Sequence, residues 1–296
     1  FQRVEGSDVD WTEAQRASRP VRAYLAALDS EHAPTNPERK PKALSPADPA
    51  AAWTTRGRHK VMFGYSLNYL IDLANAIIVD VEATPTRISK EVDATETMLA
   101  RTVARFALAP DTLAADVAYG TGAMLGWLVG RGIDPHIPVW DQSEVSANGK
   151  FARADFVYDH ERDLYTCPAG KELKTSGTAH DGTTIKYIAK RSDCAVCPLK
   201  RQCTTGLERR ISRDVHQDAR DYAQALMQTE AYRVSRSARK KIETLFGEAK
   251  HNLALVRLRL RGLSGARDEF LLTAAVQNLK RLAGHATRPP PQPMTA

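Results

Sequence analysis

One aspartate, one glutamate and four cysteines stand where residue type and spacing carry chemistry. Asp116 lies near the end of the apolar run DTLAADVA over 111–118, and the turn Tyr119-Gly120-Thr121-Gly122 follows that run at once. Ligand-binding and catalytic groups on α/β sheets collect at such strand ends. The same aspartate equally suits a cap on the turn before the next helix. Glu243 lies in RKKIETLFGEAK, where a helix of about 100° per residue puts Arg236, Arg239 and Lys250 on its face. One carboxylate among cations can hold a divalent metal beside phosphates while the cations grip the nucleic-acid backbone. The plainer alternative is an i,i+4 surface pair of Arg239 with Glu243, worth about 0.3–0.5 kcal/mol. Cys167, Cys194, Cys197 and Cys203 are all the cysteines of the chain and fall within 37 residues. Cys194-x2-Cys197 has zinc-knuckle spacing, and Cys167-Pro-x-Gly is a turn suited to a further ligand, so a structural Zn²⁺ is expected. Cys197-x5-Cys203 is irregular for a zinc ribbon, which leaves scattered buried thiols as the alternative. His180 and His216 are spare ligand candidates.

The charge points to a polyanion. The chain has 296 residues, 42 Lys+Arg against 35 Asp+Glu, and a formal net charge of +7. Between Arg233 and Leu263 nine Lys/Arg face only Glu243 and Glu248, so this one stretch holds the whole surplus. A solvated helix face usually mixes its signs, and a phosphate-rich partner explains the excess better than a basic face kept for solubility. The residues expected to meet DNA are Arg236, Arg239, Lys240, Lys250, Arg257, Arg259 and Arg261. Leu258 and Leu260 alternate with the last three, as in an element half packed and half phosphate-facing. There is no Gly-x4-Gly-Lys-Ser/Thr loop, no GxGxxG after a strand and no HExxH, so nucleotide binding and zincin chemistry have no support. No apolar run reaches the ~18 residues of a membrane span, and no signal peptide is evident, so the expected compartment is the cytoplasm. Four cysteines in such a length make no disulfide scaffold.

These residues need elements to position them. Residues 11–29 read as a helix, and the proline-rich stretch 30–58 as a linker or extended arm outside the core. Residues 61–72 and 75–83 read as adjacent antiparallel strands, 87–107 as a helix, 111–118 as a short strand, 123–129 as a helix and 135–139 as a strand. That order describes an α/β domain with a central mixed sheet. Residues 140–215 are polar and Gly-rich, with short β-like pieces (ADFVYD, DLYTCP, TIKYIA) and every cysteine, and read as an insertion or small module. Residues 216–230, 235–258 and 265–283 read as helices, and a disordered tail begins near Pro289. The expected division is 1–58, an N-terminal helix and linker; 59–139, the first part of the α/β domain; 140–215, the Cys-rich insertion; 216–285, the helical second part carrying Glu243; and 286–296, the tail.

Asp116 within LAADVAYGTG, followed downstream by RKKIETLFGEAK, LRLRGLSGARDEF and QNLKRLA, resembles the DDE transposases of bacterial insertion sequences. Arg239-x3-Glu243-x6-Lys250 is similar to the signature around that family's last catalytic carboxylate. The resemblance covers about residues 43–284 and fits the subgroup with a Cys-containing insertion before the catalytic helix. It implies a ribonuclease-H-like mixed sheet with flanking helices, interrupted by a small Cys-rich insertion. It also implies three carboxylates binding two Mg²⁺ ions for hydrolysis and strand transfer at transposon ends, with Asp116 second and Glu243 third. Arg239 and Lys250 would hold transposon-end DNA, the partner would be double-stranded DNA bound by a homodimer, and the location the bacterial nucleoid. Two features depart from the family. Arg236 stands where the wider family often has Tyr, and the first aspartate is not evident. Glu5-Gly6-Ser7 resembles the family's Asp-Gly-Ser, yet a helix follows it; Asp72 and Asp80 read as structural. The expectation is a first aspartate encoded upstream of Phe1. Two rival functions remain open: a non-catalytic DNA-binding remnant of a transposase, and a zinc-stabilised interaction module.

Overall fold

The β-rich runs after residue 60 become the longest strands among the described residues. The computed structural model describes residues 45, 47–55, 61–86, 88–139, 149–180 and 182–286. The helix expected over 11–29, most of the proline-rich stretch, Glu5-Gly6-Ser7 and the tail from Pro289 lie outside the described residues. By contact density the chain divides into two compact units, Phe1–Ala109 with Arg236–Ala296, and Pro110–Ser235.

In the first unit β1 (Ala52–Thr55), β2 (Val61–Asp72) and β3 (Ile77–Pro85) form an antiparallel sheet in that order. β1 corrects the expectation that 30–58 holds no core element. It pairs with β2 from Ala52↔Gly64 to Thr55↔Val61, Ala51 and Ala52 are buried, and Trp53 packs its ring 4.7 Å from Phe63. Four residues are too few to show a period-two pattern. β2 and β3 shift register between Leu70 and Ile71, since Leu70 faces Asp80 and Ile71 faces Ile78. Val79 is the extra residue, and it puts Ile78 in phase with Val81 and Ala83 on one face. That face carries the core cluster of Tyr69, Ile78, Val81, Ala83, Leu245, Ala266, Phe270 and Ala274. The opposite face presents Asp80 and Glu82 to α1 (Ile88–Phe106), where Arg101 bonds both at 2.7 and 2.8 Å. Asp72 caps the β2–β3 turn, accepting from the Ala74 and Asn75 N–H groups and the Asn75 amide. Asp72 and Asp80 are thus structural.

The second unit holds β4 (Thr112–Ala114) and β5 (Asp134–His136), paired parallel, with α2 (Gly122–Val129) between them in sequence. Met124, Leu125, Leu128, Ile133, Pro135 and Ile137 are buried there. The unit also holds a five-stranded antiparallel sheet ordered β10-β9-β8-β7-β6. Its strands are β6 (Val157–Asp159), β7 (Leu164–Thr166), β8 (Glu172–Ala179), β9 (Thr184–Ala189) and β10 (Arg210–Asp214). The short helices α3 (Arg191–Ala195) and α4 (Lys200–Cys203) join β9 to β10. The core of this sheet is Phe156, Tyr165, Leu173, Tyr187, Ala189 and Ile211. β8 escaped the sequence reading because most of it, KTSGTA, has no apolar alternation. The described strands are therefore mixed α/β, but the antiparallel β1–β3 and the parallel β4–β5 ladders stand in separate sheets instead of one central mixed sheet.

The helices after β10 are α5 (Gln217–Leu226), α6 (Glu230–Ala238), α7 (Lys240–His251) and α8 (Gly262–Ala286). The single helix expected over 235–258 is corrected. Arg239 separates α6 from α7 with helical angles (φ −56°, ψ −24°), and Ile242 N–H bonds back only three residues to its carbonyl. α7 ends at His251 with Asn252 as its C-cap, and the Leu253 and Leu255 N–H groups close on the Glu248 and Ala249 carbonyls while Ala254 takes a positive φ of 56°. Residues 252–261 are irregular.

Candidate active-site carboxylates, basic segment and cysteine cavity

Asp116 stands two residues beyond β4. It caps the 3-10 turn Val117–Tyr119, one carboxylate oxygen accepting the Ala118 N–H at 2.8 Å, and its side chain is exposed. The capping alternative thus holds for this turn, while Thr121 caps α2. One hydrogen bond leaves most of the carboxylate's lone pairs open to a ligand.

Glu243 occupies the first turn of α7, exposed and without an ion pair or hydrogen bond among the described residues. Arg239 is not bonded to it, so the surface-pair alternative is absent. The helical face expected to run through Arg236 is interrupted: Arg236 sits on α6, Arg239 at the junction, and only Lys250 shares α7 with Glu243.

What fixes α7 is a network the sequence reading passed over. Gln277 of α8, fully buried, donates to the Leu245 carbonyl at 2.8 Å and to Glu248 at 3.1 Å, and accepts from the Tyr69 hydroxyl at 3.0 Å. Lys280 and Arg281 pair with the same Glu248, and Tyr69 stacks on Phe246 at 5.2 Å. The Lys280 hydrogen bond, aided by Gln277 and the two cations against the opposing effect of burial, holds the Glu248 carboxyl below its ordinary value. Asn278 grips Ile78 of β3 through both backbone groups, at 2.9 and 2.8 Å. The QNLKR run is thus a clamp of helix to sheet and helix to helix. Its signal in the sequence was a cluster of long polar side chains inside an apolar helix.

The cations divide by partner. Of the nine Lys/Arg between 233 and 263, Arg233 pairs with Glu230 and Lys241 donates to the Leu73 and Ala74 carbonyls. Arg236, Arg239, Lys240, Lys250, Arg257, Arg259 and Arg261 have no ion pair among the described residues, and all but the half-buried Arg239 are exposed. In 257–261 Leu258 packs on the core of the first unit, whereas Leu260 is 50% exposed. Glu269 accepts the Arg259 and Leu260 N–H groups, which fixes the backbone of the arginine run and leaves its side chains outward.

All four cysteines, each a free thiol, line one cavity of about 30 Å³ beside the five-stranded sheet. Cys167 follows β7, Cys194 lies in α3, Cys197 in the turn after it and Cys203 ends α4. Burial pushes the Cys203 thiol up against the opposing charge of Arg209, and the other three thiols add to the rise. Among the described residues no three His, Cys, Asp or Glu side chains are arranged to hold a metal ion as they stand, so the zinc expected here has no coordination geometry behind it. The alternative of scattered thiols fails too, because the four converge.

A further contact went unread: the buried His136, at the end of β5, meets the half-buried Ser235 hydroxyl at 2.7 Å and the Tyr232 ring at 5.9 Å, and burial lowers its pKa against the opposing pull of Asp134. No helix among the described residues is long and apolar enough to cross a membrane. No curated protein and no solved structure matches the chain. Residues 166–283, which include the four cysteines, Glu243 and the basic run but not Asp116, match the family model described as "Transposase DDE domain", so this stretch is similar to the DDE domain of transposases.

Proposed function

We propose that the chain is a DDE transposase of an insertion sequence, hydrolysing and transferring DNA strands at transposon ends. The observation that carries the reading is Glu243: an exposed, unpaired carboxylate on a helix pinned by Gln277 and Glu248, followed by unpaired cations and lying inside the DDE match. Asp116 and Glu243 are hard oxygen donors with lone pairs to spare, which suits Mg²⁺ in donor type. In this reading Asp116 is the second carboxylate and Glu243 the third. Mg²⁺ bound by these carboxylates would supply the charge that lowers the pKa of an attacking water or 3′-hydroxyl and offsets the charge on a leaving oxygen.

The chain's own residues do the remaining work. Arg239 and Lys250, with Arg236, Lys240, Arg257, Arg259 and Arg261, neutralise backbone phosphates and set the register of the duplex. The α7–α8 clamp keeps Glu243 from drifting as DNA is drawn against it. Assembly is as a homodimer on paired ends, in the bacterial cytoplasm at the nucleoid.

A second reading is a DNA-binding remnant without catalysis, which would use the same free cations on DNA; it draws on the sequence, where no first aspartate is evident. Nicking of supercoiled plasmid by the full chain in Mg²⁺ or Mn²⁺ separates the two. The transposase reading expects metal-dependent nicking that Asp116→Asn and Glu243→Gln each abolish while duplex binding persists. Binding without nicking replaces it by the remnant, and nicking that survives both substitutions removes the carboxylate assignment.

A further inference from the structure

We infer that Cys167, Cys194, Cys197 and Cys203 bind one soft divalent metal ion, zinc first, which ties the β7–β8 turn to the short helices between β9 and β10. Every cysteine of the chain lines the same small cavity, though they come from a hairpin turn, two helices and the loop between those helices. Chance burial of thiols does not require such convergence.

The backbone around two of them is shaped for thiolate. Lys171 N–H points at the Cys167 Sγ at 3.3 Å, while the Cys167 N–H and carbonyl close the turn onto Lys171 and Gly170 at 2.9 and 2.8 Å. Gly170 adopts φ +73°, which a side chain would strain. An amide N–H directed at sulfur favours the charged form that a metal requires. Cys194 and Cys197 are joined by a second tight turn, Cys197 N–H to the Cys194 carbonyl at 3.5 Å, and the Lys200 N–H then closes on the Cys197 carbonyl at 3.2 Å.

The charge around the cavity complements the product. A divalent ion with four thiolates carries a net charge of −2, and Lys171, Lys200 and Arg209 line the cavity against one carboxylate, Asp193. The side chains as they stand are not drawn in to ligand distance. Each cysteine side chain turns about a single torsion with three staggered wells, and that freedom is what closing on an ion would draw on. Binding releases up to four thiol protons and adds its free energy to folding of this sheet.

The test uses the full chain purified under reducing conditions, stripped with chelator and titrated with Co²⁺. One equivalent producing thiolate-to-cobalt charge transfer and tetrahedral d–d bands, displaced by Zn²⁺, is the expected result. Cys197→His keeps a ligand and is expected to retain Co²⁺ with shifted bands, whereas Cys197→Ala loses them. Because the stripped wild type is its own reference, a variant that fails to fold does not decide the matter. Absence of a cobalt spectrum together with unchanged melting on Zn²⁺ addition overturns the inference, as does recovery of the four sulfurs as two disulfides under the same reducing conditions.

Discussion

Two glutamates five residues apart on α7 have opposite fates. Glu248 is taken up by Gln277, Lys280 and Arg281, while Glu243 is left open to solvent. In the sequence both are single negative charges in a basic run, and spacing alone separates neither. The partners that distinguish them lie about thirty residues away on α8, beyond the reach of any local pattern. Because the Glu248 pKa is lowered on folding, its contribution is fully present above the ordinary glutamate value near 4.5 and is lost as pH falls through the lower folded value. Glu248→Gln is therefore expected to cost about 1–2 kcal/mol at pH 7, discounted for the half-exposed Lys280. The gap to wild type should close as pH falls below the ordinary glutamate value and through the lower folded one, since protonation brings the wild type down to the variant. Urea melts of both proteins across that range check it; a constant gap would show that shape, and not charge, sets the role of Glu248.

At the scale of elements, the parts legible in the sequence were those with a period. The β2 and β3 runs, α1 and the apolar half of α8 announce themselves by alternation or by helical spacing. The parts that escaped are set by tertiary fit. One is the α6–α7 break at Arg239, which carries neither Gly nor Pro; another is the bulge at Val79, which rephases a strand without altering its composition. The turn after Asp116 shows how such fit can be read back. A Cβ on Gly120 would stand 2.6 Å from the Pro138 carbonyl oxygen, a backbone atom that cannot swing aside, and the Gly120 carbonyl accepts from Arg220 at 3.2 Å. Gly120→Ala is expected to cost about 1–3 kcal/mol through forced displacement of one segment or the other. Gly126→Ala makes an even shorter contact, 2.3 Å to His216 Nδ1, but that ring is exposed and can rotate away. Alanine also gains about 0.8–1.0 kcal/mol of helix propensity over glycine at that position. The two substitutions should thus differ in denaturation midpoint, with Gly120→Ala the lower; the reverse order would mean that the β4–α2 turn is compliant and cannot hold Asp116 in one place.

Over the whole molecule, charge was more legible than architecture. The surplus of +7 and its location were open to counting, but the division at 109/110 and 235/236 was not, because it depends on contacts between distant parts of the chain. Nor does counting tell which cations are free. Arg101 is held by Asp80 and Glu82, and Lys241 by two carbonyls, whereas Arg257, Arg259 and Arg261 stay outward on a backbone anchored by Glu269. Phosphate binding by free cations releases condensed counterions, so the logarithm of duplex affinity falls with the logarithm of salt by about 0.9 per phosphate neutralised. If all seven unpaired cations meet phosphates, the slope is about −6. Replacing Arg257, Arg259 and Arg261 together by Gln is expected to flatten it by about 3, and to weaken random and end-derived duplexes alike. Arg101→Gln removes the same kind of charge from the sheet, where it is already neutralised, and should lower stability with no change in slope. Fluorescence anisotropy across a salt series distinguishes these outcomes. Equal slopes for the triple variant and wild type would place the DNA elsewhere on the molecule and leave the arginine run without a role in binding.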